Sequence, residues 1–197
     1  MSKGSLFVLS GPSGTGKGTV CAELLKEDNI FLSISATTRD MRVGEAEGVT
    51  YYYKSREEFE QMIENGEMLE HAIYGGNYYG TPKKAVTDML DSGKNVMLEI
   101  EVQGALKVKE QMPEAVLIFV VPPSIAELRK RLIERGREEE AEIERRIEAA
   151  KWEFSQSPKY NYVIVNDDLA ECVKETLGII KSANDRQKMI EKLLSEI

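Results

Sequence analysis

The sequence predicts an α/β fold in which a parallel sheet is covered by helices on both faces. An apolar run at 6–9 leads directly into a glycine-rich segment and then a helical pattern. Three later apolar runs, at 95–100, 115–121 and 162–165, are each followed by a helical pattern as well. Continuous apolar strands that alternate with helices are typical of parallel sheets buried on both faces.

The first element is a strand at 5–10 that leads into Gly-Pro-Ser-Gly-Thr-Gly-Lys at 11–17. The glycines allow several backbone N–H groups to point inward, Lys17 adds a positive charge, and a helix at 17–27 begins beside it. The spacing fits the Walker A phosphate-binding pattern through Lys17, but Gly18 stands where that pattern has a Ser or Thr that binds Mg²⁺. The alternative is a glycine-rich turn that serves only strand-to-helix packing. We expect phosphate groups to lie against Gly11, Pro12, Ser13, Gly14, Thr15, Gly16, Lys17, Gly18 and Thr19.

The next segment, 35–81, is predicted to be an inserted α+β subdomain because it is rich in short strands. Ser55 and Glu58 form a capping-box pattern that opens a helix to about residue 65. Thr81 and Pro82 have the pattern of an N-cap and a first-turn proline, so another helix is predicted from there. The remaining expected elements are strands at 32–36, 48–53 and 68–73 and a loop at 75–80.

The last third of the chain returns to strand–helix alternation. Residues 136–146 are almost all charged and are expected to lack a core face of their own. The helix that follows carries Ile143, Ile147 and Trp152, and Trp152 is expected in the core. A long amphipathic helix is predicted at 168–195. These elements predict a single domain, 1–197, with a core of 1–34, 82–134 and 150–197, the subdomain 35–81, and a short helical lid at 135–149.

The composition argues against several classes of protein. A net charge of −8 is opposite to the basic surface of a nucleic-acid binder. The chain has one histidine, His71, and two isolated cysteines, Cys21 and Cys172, which is not the pattern of a zinc site but is typical of reduced cytosolic proteins. No apolar run reaches membrane-spanning length. We therefore expect a cytoplasmic protein that binds neither nucleic acid nor membrane.

Two further groups of side chains could carry chemistry. Arg39 and Arg42 follow a strand end, and arginine suits bidentate binding of a phosphate monoester. An exposed basic loop is an equally good interpretation of this stretch alone. Glu99 and Glu101 lie two residues apart at the end of an apolar strand, hence on one side of it. Two acids there need a cation or substrate donors nearby, unless they face solvent.

A series of short motifs runs along the chain in a distinctive order. The glycine-rich loop is followed by Ser-x-Thr-Thr-Arg-x-x-Arg-x-Gly-Glu from 35, Tyr-x-Tyr from 51, Glu70, and Gly-Asn-Tyr-Tyr-Gly-Thr from 76. An acidic strand end with Gln-Gly and a late Ile-Val-Asn-Asp-Asp complete the series. This order resembles that of the guanylate kinases, which phosphorylate GMP with ATP. The resemblance runs from about residue 5 to 185, nearly the whole chain.

The resemblance implies an acceptor site for GMP or dGMP in the subdomain. The residues implied for the GMP phosphate are Arg39, Arg42, Tyr51 and Tyr79. Those implied for guanine are Ser35, Glu70, Thr81 and Glu101. A carboxylate can accept from N1–H and the exocyclic amine of guanine together, whereas adenine lacks this pair of donors on that edge, so AMP would be rejected.

The resemblance also implies that the loop residues 11–19 bind ATP, with Asn166 bordering the adenine pocket. The residues implied in catalysis are Lys17, Arg39, Glu99, Arg135 and Arg146. Mg²⁺ would be held mainly by ATP oxygens and water, with Thr19 and Glu99 nearby. Two positions depart from the family pattern, since Glu101 stands where aspartate is usual and Arg137 where threonine is usual.

Three alternative functions are weighed against this one. A kinase of another nucleoside monophosphate would keep the fold and differ at Glu70, Thr81 and Glu101. A guanylate-kinase-like interaction module typically lies in a longer chain and has lost parts of the nucleotide site, whereas Lys17 and both subdomain arginines are present here. A switch GTPase lacks support because the chain has no Asn-Lys-x-Asp motif. The oligomeric state is left open between monomer and homo-oligomer.

Overall fold

The chain folds into two sheets surrounded by helices, described for residues 3–134, 140–194 and 196 of a computed structural model. The strands are β1 (Leu6–Ser10), β2 (Ile30–Leu32), β3 (Ala36–Thr37), β4 (Tyr52–Tyr53), β5 (Met68–Tyr74), β6 (Asn77–Pro82), β7 (Asn95–Glu99), β8 (Val116–Val121) and β9 (Tyr162–Val165). The helices are α1 (Lys17–Leu24), α2 (Arg56–Glu64), α3 (Lys83–Asp91), α4 (Val102–Gln111), α5 (Ile125–Glu134), α6 (Glu140–Ser155) and α7 (Leu169–Leu194). None of the helices in the described part of the chain is both long and apolar enough to cross a membrane.

The main sheet has the strand order β2-β7-β1-β8-β9, and its neighbouring strands are all parallel. In the central strand β1, Phe7 pairs with Met97 of β7 and with Val116 of β8. Alternate residues of β1 point to opposite faces. Val8 packs with side chains of α3 and α4, and Phe7 packs with side chains of α1 and α7. The predicted parallel α/β sheet with helices on both faces is confirmed.

The smaller sheet, with the order β4-β3-β6-β5, is built almost entirely from the segment 35–81. β3 pairs in parallel with β4 and antiparallel with β6, while β5 and β6 form an antiparallel hairpin. α2 covers this sheet through Phe59, which clusters with Ala36 and Met68. The capping box predicted for α2 is present in both directions between Ser55 and Glu58.

Two expectations for the strands of this region are wrong. The expected loop at 75–80 is a hairpin turn followed directly by β6. Gly75 and Gly76 have φ values of 57° and 80°, the left-handed values that a two-residue hairpin turn requires. The expected single strand at 32–36 is instead β2 and β3, which belong to different sheets. The chain leaves the main sheet between them, so this segment connects the core to the smaller sheet.

The expectation that 136–146 lacks a core face is wrong for its described part. Ile143 is 3% exposed and packs with Ile147 and Ala150 against α5. These residues are spaced by four and three positions, so they form one apolar stripe along α6. Trp152 lies off that stripe and is 46% exposed, contrary to its expected place in the core.

Candidate active site

The glycine-rich loop leaves the carboxyl end of β1 and turns directly into α1. Gly11 and Gly16 have φ values of 143° and 88°. A Cβ at Gly11 would lie 2.3 Å from the Val120 carbonyl oxygen, and one at Gly16 would lie 2.4 Å from Asn166 Nδ2, so only glycine fits. Gly16 is also the N-cap of α1 and supplies no side-chain cap. The amides of the first turn are therefore offered to an anionic ligand.

Two cationic side chains lie on this loop. Lys17 Nζ donates to the carbonyl oxygens of Gly11 and Pro12 at 2.7 and 2.9 Å, which folds the side chain back over the loop. Arg146 Nη1 donates to Ser13 Oγ at 2.6 Å. The second bond connects α6 directly to the loop, so a residue of the predicted lid already meets the predicted phosphate site.

The loop forms one wall of a cleft with a volume of about 1310 Å³. The cleft lies at the carboxyl ends of β1 and β7, the edge at which open parallel sheets bind ligands. Its other walls include Glu99 at the end of β7, Glu101 just after it, Arg146 and Glu153 of α6, and Tyr78 of the smaller sheet. The structure thus brings the loop, the acidic strand end and α6 to one site.

Glu70, Thr81 and Glu101 come together at Gly104, in the first turn of α4. Thr81 Oγ1 donates to Glu70 Oε1 at 2.7 Å, so this hydroxyl does not cap α3 as was expected. The Glu101 carboxylate caps α4 by accepting from the N–H groups of Gln103 and Gly104. A Cβ at Gly104 would lie 2.8 Å from Glu70 Oε2 and 3.4 Å from Glu101 Oε1. The absence of a side chain there lets both carboxylates approach.

Glu70 is unusually placed for an acid, since it is only 6% exposed. Burial raises the pKa of Glu70, the hydrogen bond from Thr81 opposes this, and the nearby charge of Glu101 raises the pKa again. A ligand with N–H donors would favour the ionised form of this carboxyl. The carboxylates of Glu70 and Glu101 are therefore suited to accept hydrogen bonds from a ligand edge that carries several N–H donors.

Arg39, Tyr51 and Tyr79 form a cationic and aromatic cluster on the smaller sheet. The Arg39 guanidinium carbon lies 5.5 Å from the centre of the Tyr51 ring, and the ring centres of Tyr51 and Tyr79 are 6.0 Å apart. Burial is the main cause that raises the pKa of Tyr51, and the neighbouring Tyr79 raises it further. Arg39, Tyr51 and Tyr79 do not line the cleft, but the donors of this cluster suit an anionic group.

Comparison with known proteins identifies the family. The family model described as guanylate kinase matches residues 3–183. The chain belongs to the guanylate kinase family. It is 54% identical over 192 residues to a guanylate kinase of Halalkalibacterium halodurans, covering 96% of this chain and 94% of the relative. It is 51% identical over 195 residues to that of Clostridioides difficile, covering 98% and 95%. The crystal structure of guanylate kinase from Anaplasma phagocytophilum matches with a TM-score of 0.74 at 41% identity, over 92% of this chain and 86% of that one.

Several residues assigned from the guanylate kinase pattern lie apart from these contacts. Thr19 is exposed on the first turn of α1 and, unlike Gly18, does not line the cleft. Ser35 is half-buried in the connection between β2 and β3, and Arg42 is exposed on the turn that follows. Arg135, like Arg137, lies outside the described residues.

Within the described residues, no group of three or more His, Cys, Asp or Glu could hold a metal ion. Glu99 is exposed at the end of β7, and its Oε1 lies 3.5 Å from the position that a Cβ on Gly18 would take. A single carboxylate beside a phosphate loop suits Mg²⁺ that is bound mainly by phosphates and water. The side chains at this position therefore fit a magnesium ion held in that way.

Asn166, predicted at the adenine pocket, lies beneath the loop. It is 6% exposed, and its Nδ2 donates to the Thr15 carbonyl oxygen at 2.8 Å. This contact connects the end of β9 to the loop and explains why Gly16 can carry no side chain. The sequence did not indicate it, because the contact joins residues 151 positions apart.

We expect Asn166→Ala to lower the free energy of unfolding by about 1–3 kcal/mol, because it leaves a buried carbonyl oxygen without its donor. The KM for ATP should also rise, since Thr15 belongs to the phosphate loop. Urea denaturation and steady-state kinetics measure the two effects. Asn65→Ala, at an exposed helix end, is the matched control. A decrease in the free energy of unfolding of less than about 0.5 kcal/mol, the range of ordinary surface substitutions, would show that the contact between Asn166 and Thr15 contributes little to stability.

Glu153 is a cleft residue that the motifs did not indicate. It lines the cleft from α6, where burial raises its pKa and the charge of Lys17 lowers it. Glu153 follows Arg146 by seven residues, two helical turns, so helical spacing alone puts the two on one face. That spacing is the signal that could have identified it.

Proposed function

We propose that this protein transfers the γ-phosphoryl group of ATP to GMP, forming ADP and GDP, and that it accepts dGMP as well. The observation that carries the proposal is the buried Glu70 carboxylate, which is held by Thr81 and approached at Gly104 by Glu101, a residue that lines the same cleft as the phosphate loop. Guanine offers N1–H and an exocyclic amine on one edge, which a carboxylate accepts together. A base without these donors leaves a buried acceptor unpaired and binds less well.

ATP is proposed to bind along the loop, residues 11–19. The carbonyl oxygens of Gly11 and Pro12 hold Lys17 over the loop, from where its ammonium group can turn to the β- and γ-phosphates. Asn166 keeps the loop backbone in place and borders the adenine site. The open first turn of α1 adds amide donors and the positive end of the helix dipole.

GMP is proposed to bind between the smaller sheet and the core. Its phosphate would be held by Arg39, Arg42, Tyr51 and Tyr79, whose donors form or flank the cluster on the smaller sheet. Its base would meet Glu70, Thr81 and Glu101, with Ser35 at the edge. In this arrangement, one group of residues binds the phosphate of GMP and a separate group recognises its base.

Phosphoryl transfer requires mainly alignment and charge neutralisation. Lys17 and Arg146, with Arg135, would stabilise the charge that develops on the transferred group, and Arg39 would hold the GMP phosphate in line. A phosphate dianion attacks without a general base. Mg²⁺, when bound, neutralises phosphate charge, and Glu99 is the side chain best placed to hold it or its water, with Thr19 as a second candidate.

We propose that the subdomain 35–81 and the lid 135–149 close over the core when both substrates are bound. The subdomain ends at β6, which runs directly into α3 of the core, and the lid ends within α6, whose later part belongs to the core. The bond between Arg146 and Ser13 supports a lid that meets the donor phosphates directly. Closure would exclude water and thereby suppress ATP hydrolysis.

A cytoplasmic role in the recycling of GMP is part of the proposal. Cys21 and Cys172 are free and buried. Burial raises the pKa of Cys21 to about 12 and that of Cys172 to about 11, so neither forms a thiolate readily. Buried, unpaired cysteines are typical of proteins in a reducing compartment.

A coupled assay of ADP formation tests the proposed reaction. With ATP and Mg²⁺ present, ADP should form only when GMP is added, and one GDP should appear for each ADP. ADP formation at the same rate without GMP would contradict the proposal. Binding of GMP without turnover would favour an interaction module instead.

A further inference from the structure

Glu45 is the last residue of the arginine-containing motif, and the reaction proposed above gives it no role. It lies on the turn between β3 and β4, and its side chain is 19% exposed. Arg39 Nη2 donates to both of its carboxylate oxygens, at 2.7 and 3.0 Å. The Arg39 side chain is only 13% exposed, so the pair is largely shielded from solvent. Ion pairs that are shielded from solvent and joined by two hydrogen bonds are stronger than exposed ion pairs.

Two further donors hold the same carboxylate. The backbone N–H of Arg42 donates to Glu45 Oε2 at 2.8 Å, and the Tyr53 hydroxyl donates to the same oxygen at 2.7 Å. Arg39 and Arg42 lie in the connection between β3 and β4 and Tyr53 lies in β4, so the carboxylate ties this connection to β4. Arg39 is the main cause that lowers the pKa of Glu45, to about 2, so the carboxylate is ionised at any working pH.

The Arg39 guanidinium is fixed on several sides by these contacts. Nη2 is held by Glu45, Nη1 donates to the Asp40 carbonyl oxygen at 2.7 Å, and the Tyr51 ring lies beneath the group. A long side chain that is ordered before binding loses less conformational entropy when its ligand arrives. The geometry therefore favours a role for Glu45 in orienting Arg39. If Glu45 instead competed with a phosphate for Arg39, its carboxylate would have to give up its three donors, Arg39, the Arg42 N–H and the Tyr53 hydroxyl, whenever the phosphate bound.

We propose that Glu45 is a positioning residue for binding of the acceptor phosphate. Glu45 orients Arg39, the Arg42 backbone and Tyr53 as one unit. The proposal rests on the function proposed above, in which Arg39 binds the phosphate of GMP. Glu45 itself touches no substrate and acts through Arg39.

Calorimetric GMP binding and steady-state kinetics of two variants test this role. Glu45→Gln removes the charge and should raise the dissociation constant and the KM for GMP about tenfold, the loss expected for one charge-assisted contact. Tyr53→Phe removes one bond to Glu45 and should raise both about twofold to threefold, as for a neutral hydrogen bond. The KM for ATP should stay within about twofold, because the donor loop is untouched.

Glu47→Gln is the matched control. Glu47 lies two residues further along, and its carboxylate accepts from the Tyr53 backbone N–H at 2.9 Å, a bond that a glutamine oxygen can also accept. GMP binding by this variant should equal that of the wild type. Thermal unfolding of each variant shows whether it is folded. If Glu45→Gln does not fold, the test relies on GMP binding by Tyr53→Phe.

A double mutant distinguishes positioning from a general structural role. Arg39→Lys should weaken GMP binding by itself, because lysine lacks the planar fork. If Glu45 acts through Arg39, adding Glu45→Gln to Arg39→Lys should cost less than about threefold more, since coupled residues are not additive. A further full tenfold loss would overturn the proposal.

Two other outcomes would overturn it as well. One is an unchanged GMP dissociation constant in both Glu45→Gln and Tyr53→Phe. The other is tighter GMP binding by Glu45→Gln, which would make Glu45 a competitor of the phosphate. The GMP dissociation constants of the variants and the wild type are compared without ATP, so they test the role of Glu45 alone. Turnover by the wild type with ATP and GMP tests the proposed function separately.

Discussion

Replacing Lys17 with alanine is expected to lower kcat for GMP phosphorylation about 10³-fold, the scale of losing one group that stabilises transition-state charge in a site of this kind. Lys17 is the one lysine of the phosphate loop, and its ammonium group already lies over the Gly11 and Pro12 carbonyl oxygens. The variant should still bind GMP, since the acceptor residues are in the smaller sheet. A coupled assay gives kcat, and calorimetry without ATP gives the GMP dissociation constant.

Lys26→Ala is the matched control for this prediction. Lys26 lies just beyond the end of α1, where it pairs with Glu23 on the surface. Exposed pairs of this kind contribute little to stability, so activity and unfolding should be close to those of the wild type. A fall of less than about tenfold in kcat of Lys17→Ala, far below the cost of one such group, would remove Lys17 from the donor site.

Replacing Glu70 with glutamine is expected to lower kcat/KM for GMP about 10³-fold or more, because the neutral amide turns one acceptor into a donor that faces the donors of guanine. The same change should raise Tm at neutral and alkaline pH. The folded pKa of Glu70 is raised by burial, so ionisation costs stability as pH rises through that pKa, and glutamine avoids the cost. The gain in Tm should shrink as pH falls and the wild-type carboxyl becomes protonated.

Glu67→Gln makes the same chemical change at an exposed position three residues earlier, and should alter neither activity nor Tm. Kinetics with GMP and thermal unfolding between acid and alkaline pH measure both effects. Retained GMP activity in Glu70→Gln would contradict the role of Glu70 in reading the base. A lower Tm at high pH would contradict the account of its buried charge.

Four strands of the main sheet, β1, β7, β8 and β9, could be predicted because they are continuous apolar runs, each followed by a helix. The phosphate loop could be predicted because Gly11, Gly16 and Lys17 stand at a spacing with few other uses. The smaller sheet was predicted less well. Its strands are two to seven residues long, and the pattern at 75–80 predicts a loop where the structure has a hairpin turn, although paired glycines are a known turn signal.

The contacts that the sequence could not indicate are those between distant segments. Thr81 has the pattern of a helix cap, but its hydroxyl bonds Glu70 across the β5–β6 hairpin. Asn166 is tied to the loop, and Glu45 to Arg39, by side-chain geometry that no periodicity shows. The apolar pattern of the helix predicts Trp152 in the core together with Ile143 and Ile147, whereas only the stripe of Ile143 and Ile147 faces α5 and Trp152 lies outside it. The roles of the individual site residues stay predictions until variants are measured.

The most direct test of the account is a panel of acceptors, GMP, dGMP, AMP, UMP and CMP, each with ATP and Mg²⁺. We expect phosphorylation of GMP and dGMP, with kcat/KM for GMP exceeding that for AMP by about 10⁴, the ratio that a site built to hydrogen-bond its substrate can reach. Lys17→Ala should be inactive on every acceptor in the same panel. Phosphorylation of AMP or a pyrimidine nucleotide as efficient as that of GMP would contradict the reading of guanine by Glu70, Thr81 and Glu101.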